Sequence, residues 1–500
     1  MRAPAIASIV IAGGGIVGWS AAAALSRRLP AVAVTVVPVA PAPDALADRM
    51  AGTLPSLLEF HDDIGLSEAD AVVRAASGYR LGTRFEGWAD GMAPYVHAYS
   101  AYGRPFGTAS FHHHWVRAAK AGAAAPFDAF SPAATMAGEG RFVHPQADAQ
   151  SPLARFGYGL QIDPQRYRAM MRAYALHLGA TERPGTIAGL SLRGSDGFIE
   201  ALRLENGSEL KADLFVDATG PRSLLRGQLD EAWEDWSRWL PCDRLLLAEA
   251  APPAAPPPLD RAVAHSAGWR WEAASPARTS HGLVYASEHL SDSRAERVFR
   301  NAAAVDPAEP AIQLRAGRRP EPWLRNCVAI GDSAVAVEPL EWTNLHLAHN
   351  AIDRLISMMP DRDCSAVELW DYNRQSEAEA MRVRDFLVLH YAVARRPGDA
   401  FWREAAARPL PPSLAHTLTQ FLERGRLPFY DDETFARDSW LAVLLGQGAL
   451  PRRSDPLIDT VPEAESNRAM TQMRQSVEAL VQTLPTHADY LRNLSRQAAR

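Results

Sequence analysis

In the stretch SIVIAGGGIVGWSAAAAL, residues 8–25, three glycines stand in G-x-G-x-x-G spacing between an apolar run and an alanine-rich one. That spacing suits dinucleotide binding. Gly13 permits a tight turn, Gly15 lets a pyrophosphate approach the backbone, and Gly18 lets helix and strand meet closely. The phosphate would rest on the free N–H groups at the helix start. A glycine-rich turn with no ligand is the plainer alternative. The pattern also calls for an acidic side chain about 20 positions past the last glycine, to hold a ribose hydroxyl. Pro38 stands there, and its side chain accepts no hydrogen bond.

Two further strand ends carry small-residue turns. ADLFVDATG (212–220) ends in Ala218–Gly220, and RNCVAIGDSAVAVEPLE (325–341) passes through Gly331–Asp332. Ligands of open α/β sheets collect at the carboxyl ends of strands. Three such turns, far apart in sequence, suit an elongated flavin dinucleotide better than a nicotinamide cofactor on one compact unit. Asp332 is then the natural acceptor for ribityl hydroxyls.

The elements that must position these turns follow from the residue patterns. Residues 6–12 and 32–37 read as strands buried on both faces, with a helix over 16–29 between them. DPQRYRAMMRAYALHLG (163–179) opens with Asp163 as N-cap and Pro164 at the first helical position, and Gly179 stops it. Short strands broken by GSDG and NGS predict a β-meander, and APPAAPPPLD (251–260) a stiff connection. Beyond about residue 365 the pattern is mostly amphipathic helix. The predicted class is α/β: a Rossmann-like domain over residues 1–360, built from discontinuous segments, and a helical C-terminal region over 361–500.

Composition narrows the function. Five hundred residues, 47% hydrophobic and 22% charged, give a globular chain with ample core. A net charge of −6 argues against a nucleic-acid partner. Three scattered cysteines make neither a disulfide framework nor a metal clip and fit a reducing compartment. No apolar run reaches the ~20 residues that span a bilayer, so a cytoplasmic location is expected.

Several motifs together resemble the flavin-dependent tryptophan halogenase family, over almost the whole chain. GGGIVGWSAAAAL looks like its opening motif, including Trp19 directly after the third glycine. DWSRWLPCDR (235–244) looks like its middle segment, and GWRWEAA (268–274) is similar to its W-x-W-x-I-P, with GLVYASEHLSD following at the family spacing. EPLEWTNLHL (338–347) resembles P-L-E-S-T-G, and YNRQSEAEAMRVRDFLVLHY and SWLAVLLGQG resemble the helical part.

The resemblance implies a flavin-monooxygenase-type fold and FAD, reduced by a separate flavin reductase. Oxygen and halide then give hypohalous acid, which travels to a lysine and on to an electron-rich aromatic ring. It assigns cofactor contacts to Gly13, Gly15, Gly18, Trp19, Gly220, Gly331 and Asp332, and halide contacts to Thr343 and Asn344. Trp269 and Trp271 belong to a wall between substrate and flavin. Glu341 takes the catalytic glutamate's place, with a structural partner for a nearby arginine as the alternative. Arg80 takes the lysine's place, and a guanidinium stays protonated and only donates.

Other departures are Trp342 for a serine, Asn344 for a glycine, Ala273–Ala274 for Ile–Pro, and Met50–Gly52 for G-E-A. The resulting expectation is a divergent halogenase-like flavoprotein acting on an aromatic or indole substrate, as monomer or homodimer. A flavin monooxygenase reached through an opened wall is one alternative, and a non-catalytic ligand-binding member is another. Three motifs are set aside. FHHHW (111–115) reads as polar lining or surface with no metal, His487 as a helix cap, and Trp233, Trp236 and Trp239 as one packed helix face.

Overall fold

The apolar run after residue 7 becomes strand β1 (Ser8–Ala12), followed by helix α1 (Ile16–Arg28) and strand β2 (Ala33–Val37). β1 pairs in parallel with both β2 and the strand Leu214–Asp217, which in turn pairs in parallel with Cys327–Ala329. Strands buried on both faces in this way must be near-continuous apolar runs, as these are. The computed structural model describes residues 4–148, 151–431 and 433–498.

The chain divides into two compact units. The first takes residues 1–77, 162–237 and 312–381; the second takes 78–161, 238–311 and 382–500. The border nearest the expected one at 360 falls between Met381 and Arg382.

In the first unit the central sheet runs Trp323–Leu324, Cys327–Ala329, Leu214–Asp217, β1, β2, Thr181–Glu182. The meander predicted from GSDG and NGS is present as three antiparallel strands, Ile187–Leu192, Ile199–Leu204 and Glu209–Leu210. The helix Pro164–His177 starts as its sequence dictates: Asp163 accepts from Gln165 N (2.9 Å) and Arg166 N (3.0 Å). The tryptophans at 233, 236 and 239 do not form a helix face. A two-residue strand, Glu234–Asp235, interrupts them, and Trp236 donates to Glu234.

In the second unit, strands Arg244–Ala250, Thr279–Tyr285, Gly268–Ala274, Asp260–His265, Gly82–Glu86 and Tyr95–Ala98 lie side by side in that order. Gly78–Arg80 pairs separately with Gly159–Gln161. From Ala366 to Ala498 the secondary structure is helical apart from loops, as the amphipathic pattern predicts. FHHHW opens a helix, Phe111–Lys120, but not a surface one. His112, His113 and His114 are all buried, and His112 Nε2 meets Gly425 O at 2.8 Å.

Candidate active site

The three glycine-bearing turns meet in the first unit. Gly13 has φ +141°, and a methyl built on it would lie 2.4 Å from Ala218 O; one on Gly18 would lie 2.1 Å from Gly13 O. Glycine is required at both, the first by conformation and contact together. Gly220 (φ +75°) and Gly331 (φ +65°) also hold left-handed backbone, against Ala45 and Val17 respectively. Ser333 Oγ donates to Gly220 O at 2.8 Å, which fastens the second turn to the third. Pro38 follows β2 directly and lies against Gly14, so the ribose-binding acid is missing from its structural place as well.

Asp217, which no motif singles out, builds the second turn. Its buried carboxylate accepts from Thr219 N and Oγ1, Ser223 Oγ, Leu225 N and Arg226 N.

Asp332 is fully buried and accepts Ala47 N–H at 2.8 Å. Burial, with the neighbouring Asp48 charge adding to it, pushes its carboxyl up to about 8. Asp48 is equally buried, and burial raises it to about 6 against the hydrogen bonds of Val17 and Ile16 and the charge of Arg168. Trp19 is buried, with the guanidinium of Arg172, from the helix Pro164–His177, 5.7 Å from its ring centre. Its indole serves the packing of the two helices.

Glu341, Trp342, Thr343 and Asn344 lie together where the helix Thr343–Ser357 begins, all of them buried. Glu341 (φ 61°) and Trp342 (φ 60°) are consecutive left-handed residues without being glycine. Such backbone costs about 1–3 kcal/mol per residue and gathers at functional sites. Asn344 donates to Val337 O at 2.9 Å, while Thr343 Oγ1 has no hydrogen bond among the described residues. The Trp342 indole has room because Gly52 has no side chain. A methyl there would be 2.5 Å from Trp342 Cδ2.

Arg80, Trp269 and Trp271 belong to the second unit. Arg80 is fully buried and paired: Nε donates to Asp260 Oδ1, Nη1 to the Tyr99 hydroxyl, and Nη2 to Thr83 Oγ1 at 2.5 Å. Thr83 in turn donates to Asp260 Oδ2 at 2.8 Å. The register explains the cluster, since Thr83 and Asp260 stand opposite each other in the parallel pair of their strands.

His487 holds the neighbouring strand. It stands at the start of the helix His487–Ala498, as the expected cap would, and its ring ties two distant backbone groups. Its Nε2 accepts Tyr79 N–H at 3.0 Å and Nδ1 donates to Pro256 O at 2.7 Å.

Trp269 and Trp271 are buried on the strand Gly268–Ala274, with ring centres 5.8 Å apart. Trp269 donates to the Tyr391 hydroxyl at 3.0 Å, and Trp271 fills the space left by Gly282 on the next strand. Ala273 and Ala274 are buried within the same paired strand, opposite Ser280 and Thr279, and do not open it to solvent. Among the described residues no group of three His, Cys, Asp or Glu side chains could hold a metal.

The family model described as "Tryptophan halogenase" matches residues 8–463. The chain belongs to the tryptophan halogenase family.

Tryptophan 7-halogenase KtzQ of Kutzneria sp. (strain 744) is 30% identical over 98% of this chain and 98% of its own. Two solved structures each superpose with a TM-score of 0.92. They are BrvH, a flavin-dependent halogenase from Brevundimonas sp. BAL3 (36% identity, 98% and 99% coverage), and Xcc4156, a flavin-dependent halogenase from Xanthomonas campestris (34%, 98% and 98%). The family implies FAD as cofactor, and the residues here fit it. The missing side chain at Gly15 lets an anion lie against the backbone at the start of α1, and the Asp48 carboxylate stands there, 2.2 Å from where a Cβ would be. No helix among the described residues is long and apolar enough to cross a membrane.

Proposed function

We propose that this protein halogenates an electron-rich aromatic substrate other than free tryptophan, using FAD reduced by a separate flavin reductase. The observation that carries the choice of substrate is the saturation of Arg80. A lysine in a dry site can shed its proton and act as a nucleophile; a guanidinium already bonded to Asp260, Thr83 and Tyr99 neither loses a proton nor has freedom to reach out.

The N–H groups that open α1, reached past Gly15, would hold the pyrophosphate, and Asp332 the ribityl hydroxyls. Reduced FAD, when bound, supplies the oxygen chemistry that oxidises halide. Thr343 has a buried hydroxyl to offer the halide. The Glu341 carboxylate accepts the proton that the aromatic ring gives up on substitution. Gly331 and Gly220 keep the backbone of this place in the left-handed form it needs.

The test is turnover with reduced flavin, oxygen and bromide across a panel of indoles and phenols that includes free tryptophan, read by mass spectrometry. Brominated product from a panel member, with none from tryptophan, is expected. Robust bromotryptophan formation would overturn the substrate assignment, and oxygenated products without bromide would overturn the reaction.

A further inference from the structure

Helix α1 begins without a cap of its own. Gly15 at its N-cap has no side chain, and its first turn carries no acidic residue. Yet its opening N–H groups are not bare. Asp48, 31 residues along and at the end of the 3-10 turn Leu46–Asp48, reaches back so that Oδ1 accepts Val17 N–H at 3.0 Å, and Ile16 N–H also bonds the carboxylate. Both carboxylate oxygens lie within 2.5 Å of where a Cβ on Gly15 would be. The glycine that lets an anion approach the backbone therefore has an anion against it, supplied by the chain itself.

That carboxylate is poorly compensated. Arg168 is the cation acting on it, whereas Asp332 stands close enough for the two acids to repel, and the Asp44 charge further disfavours ionisation of Asp332. A side chain chosen only to cap a helix would not need burial beside a second buried acid. The same N–H groups are the ones a dinucleotide phosphate would use.

We propose that Asp48 is a resident counter-anion of the phosphate cradle: its carboxylate occupies the Val17 and Ile16 N–H groups until a dinucleotide phosphate displaces it. This rests on the flavin reading above and goes beyond it. The helix start stays satisfied when no cofactor is there, and every binding event must first expel a like charge. Cofactor affinity is thus lowered by a group that never touches the reacting atoms, and the turn Leu46–Asp48 has to move for binding to proceed.

Asp48→Asn tests this with little disturbance, because an amide oxygen can still accept the helix N–H groups while the negative charge is gone. Binding is measured on the full-length protein at neutral pH with FAD, by fluorescence quenching, and with ADP, by calorimetry; thermal melting of the ligand-free protein runs alongside. The expected result is at least ~10-fold tighter binding of both ligands by the variant, with melting lowered only slightly. Unchanged affinity with lowered melting would make Asp48 a helix cap and nothing more, and overturn the proposal. Weaker binding by the variant would make it a cofactor contact, and overturn it too. Failure of both proteins to bind either ligand up to millimolar concentration would overturn the flavin reading itself and this proposal with it.

Discussion

The glycine turns of the first unit and the Arg80 cluster of the second both bury charge, but they balance it differently. Arg80 meets one carboxylate and two hydroxyls, and the partners also bond each other. Around the turns, Asp44, Asp48 and Asp332 gather with Arg168 as the cation acting on Asp48, and burial holds Asp48 and Asp332 above the usual carboxylate range. A closed network of opposite charges is what a structural anchor looks like. Acids buried together with so little opposing charge are a cost that folding alone does not explain, and such groups cluster at functional sites. Position 80 is held by paired charge, whereas the turns hold acids that burial has raised.

The sharpest way to break this comparison is to strip Arg80 of its partner. Asp260→Ala leaves a fully buried guanidinium without its counter-charge and should cost about 3–5 kcal/mol in a denaturant titration. Replacing both residues with leucine should recover most of that loss. A cost below ~1 kcal/mol would mean that the cluster anchors nothing.

Gly15→Ala probes the other region. Its methyl points at the place where a carboxylate now stands, so FAD affinity should fall by ~10-fold or more. Equal affinity would show that the phosphate lies elsewhere.

Acidity should pull the two regions in opposite directions. Burial lowers His487, and with it His113, to about 4, and His112 to about 3, all in the second unit. An unfolded chain would take up protons at these sites below pH ~6.5 while the native state resists, so their contribution is complete above that value and is lost as pH falls towards 4. The acids behave inversely. Asp332, raised to about 8, binds a proton in the native state that the unfolded chain releases above pH ~4, so stability drains away as pH climbs from 4 to 8. Unfolding free energies measured across that range should show Asp332→Asn flattening the alkaline side and His487→Gln flattening the acid side. A variant that changes neither limb removes its residue from the account.

The smallest effect expected is from Arg80→Lys alone. Asp260 would keep the new lysine as an ammonium, so bromination of tryptophan should stay absent by mass spectrometry. It should emerge, if at all, only with Asp260→Asn added. Bromotryptophan from the single variant would show that the aspartate does not control this position.

The turns were legible in the sequence because their constraints are local: a left-handed backbone or a close approach admits little but glycine, and strand pattern places it. Asp332 could be read from its position inside such a turn, and Glu341 only from the resemblance of its segment to the family motif. Asp260 could not. It lies 180 residues from Arg80, in a stretch that reads as the end of a proline connection, and only the parallel register of two strands brings it opposite Thr83. Asp48 was hidden in the same way, because a carboxylate in a loop gives no sign of which helix it will cap. For the histidines of FHHHW the surface alternative fails, because packing takes that face of the helix inside. Regular three-residue spacing made Trp233, Trp236 and Trp239 look helical, although a two-residue strand pairs there instead.

Gly52 and Trp342 carry a lesson about directed evolution. One residue has no side chain and the other a large one, and the indole fits only because the glycine leaves it room. Serine at position 342, as in the family motif, would leave a hollow the size of an indole facing a residue with nothing to fill it, a loss of about 3–5 kcal/mol on the scale of large core truncations. Alanine at position 52 would drive a methyl into the ring. Neither change is neutral by itself, and their effects will not add. Directed evolution towards a small residue at 342 therefore has to cross a weakened intermediate or change both positions at once. Libraries that vary single sites would score both as fixed and miss the exchange that is open to them.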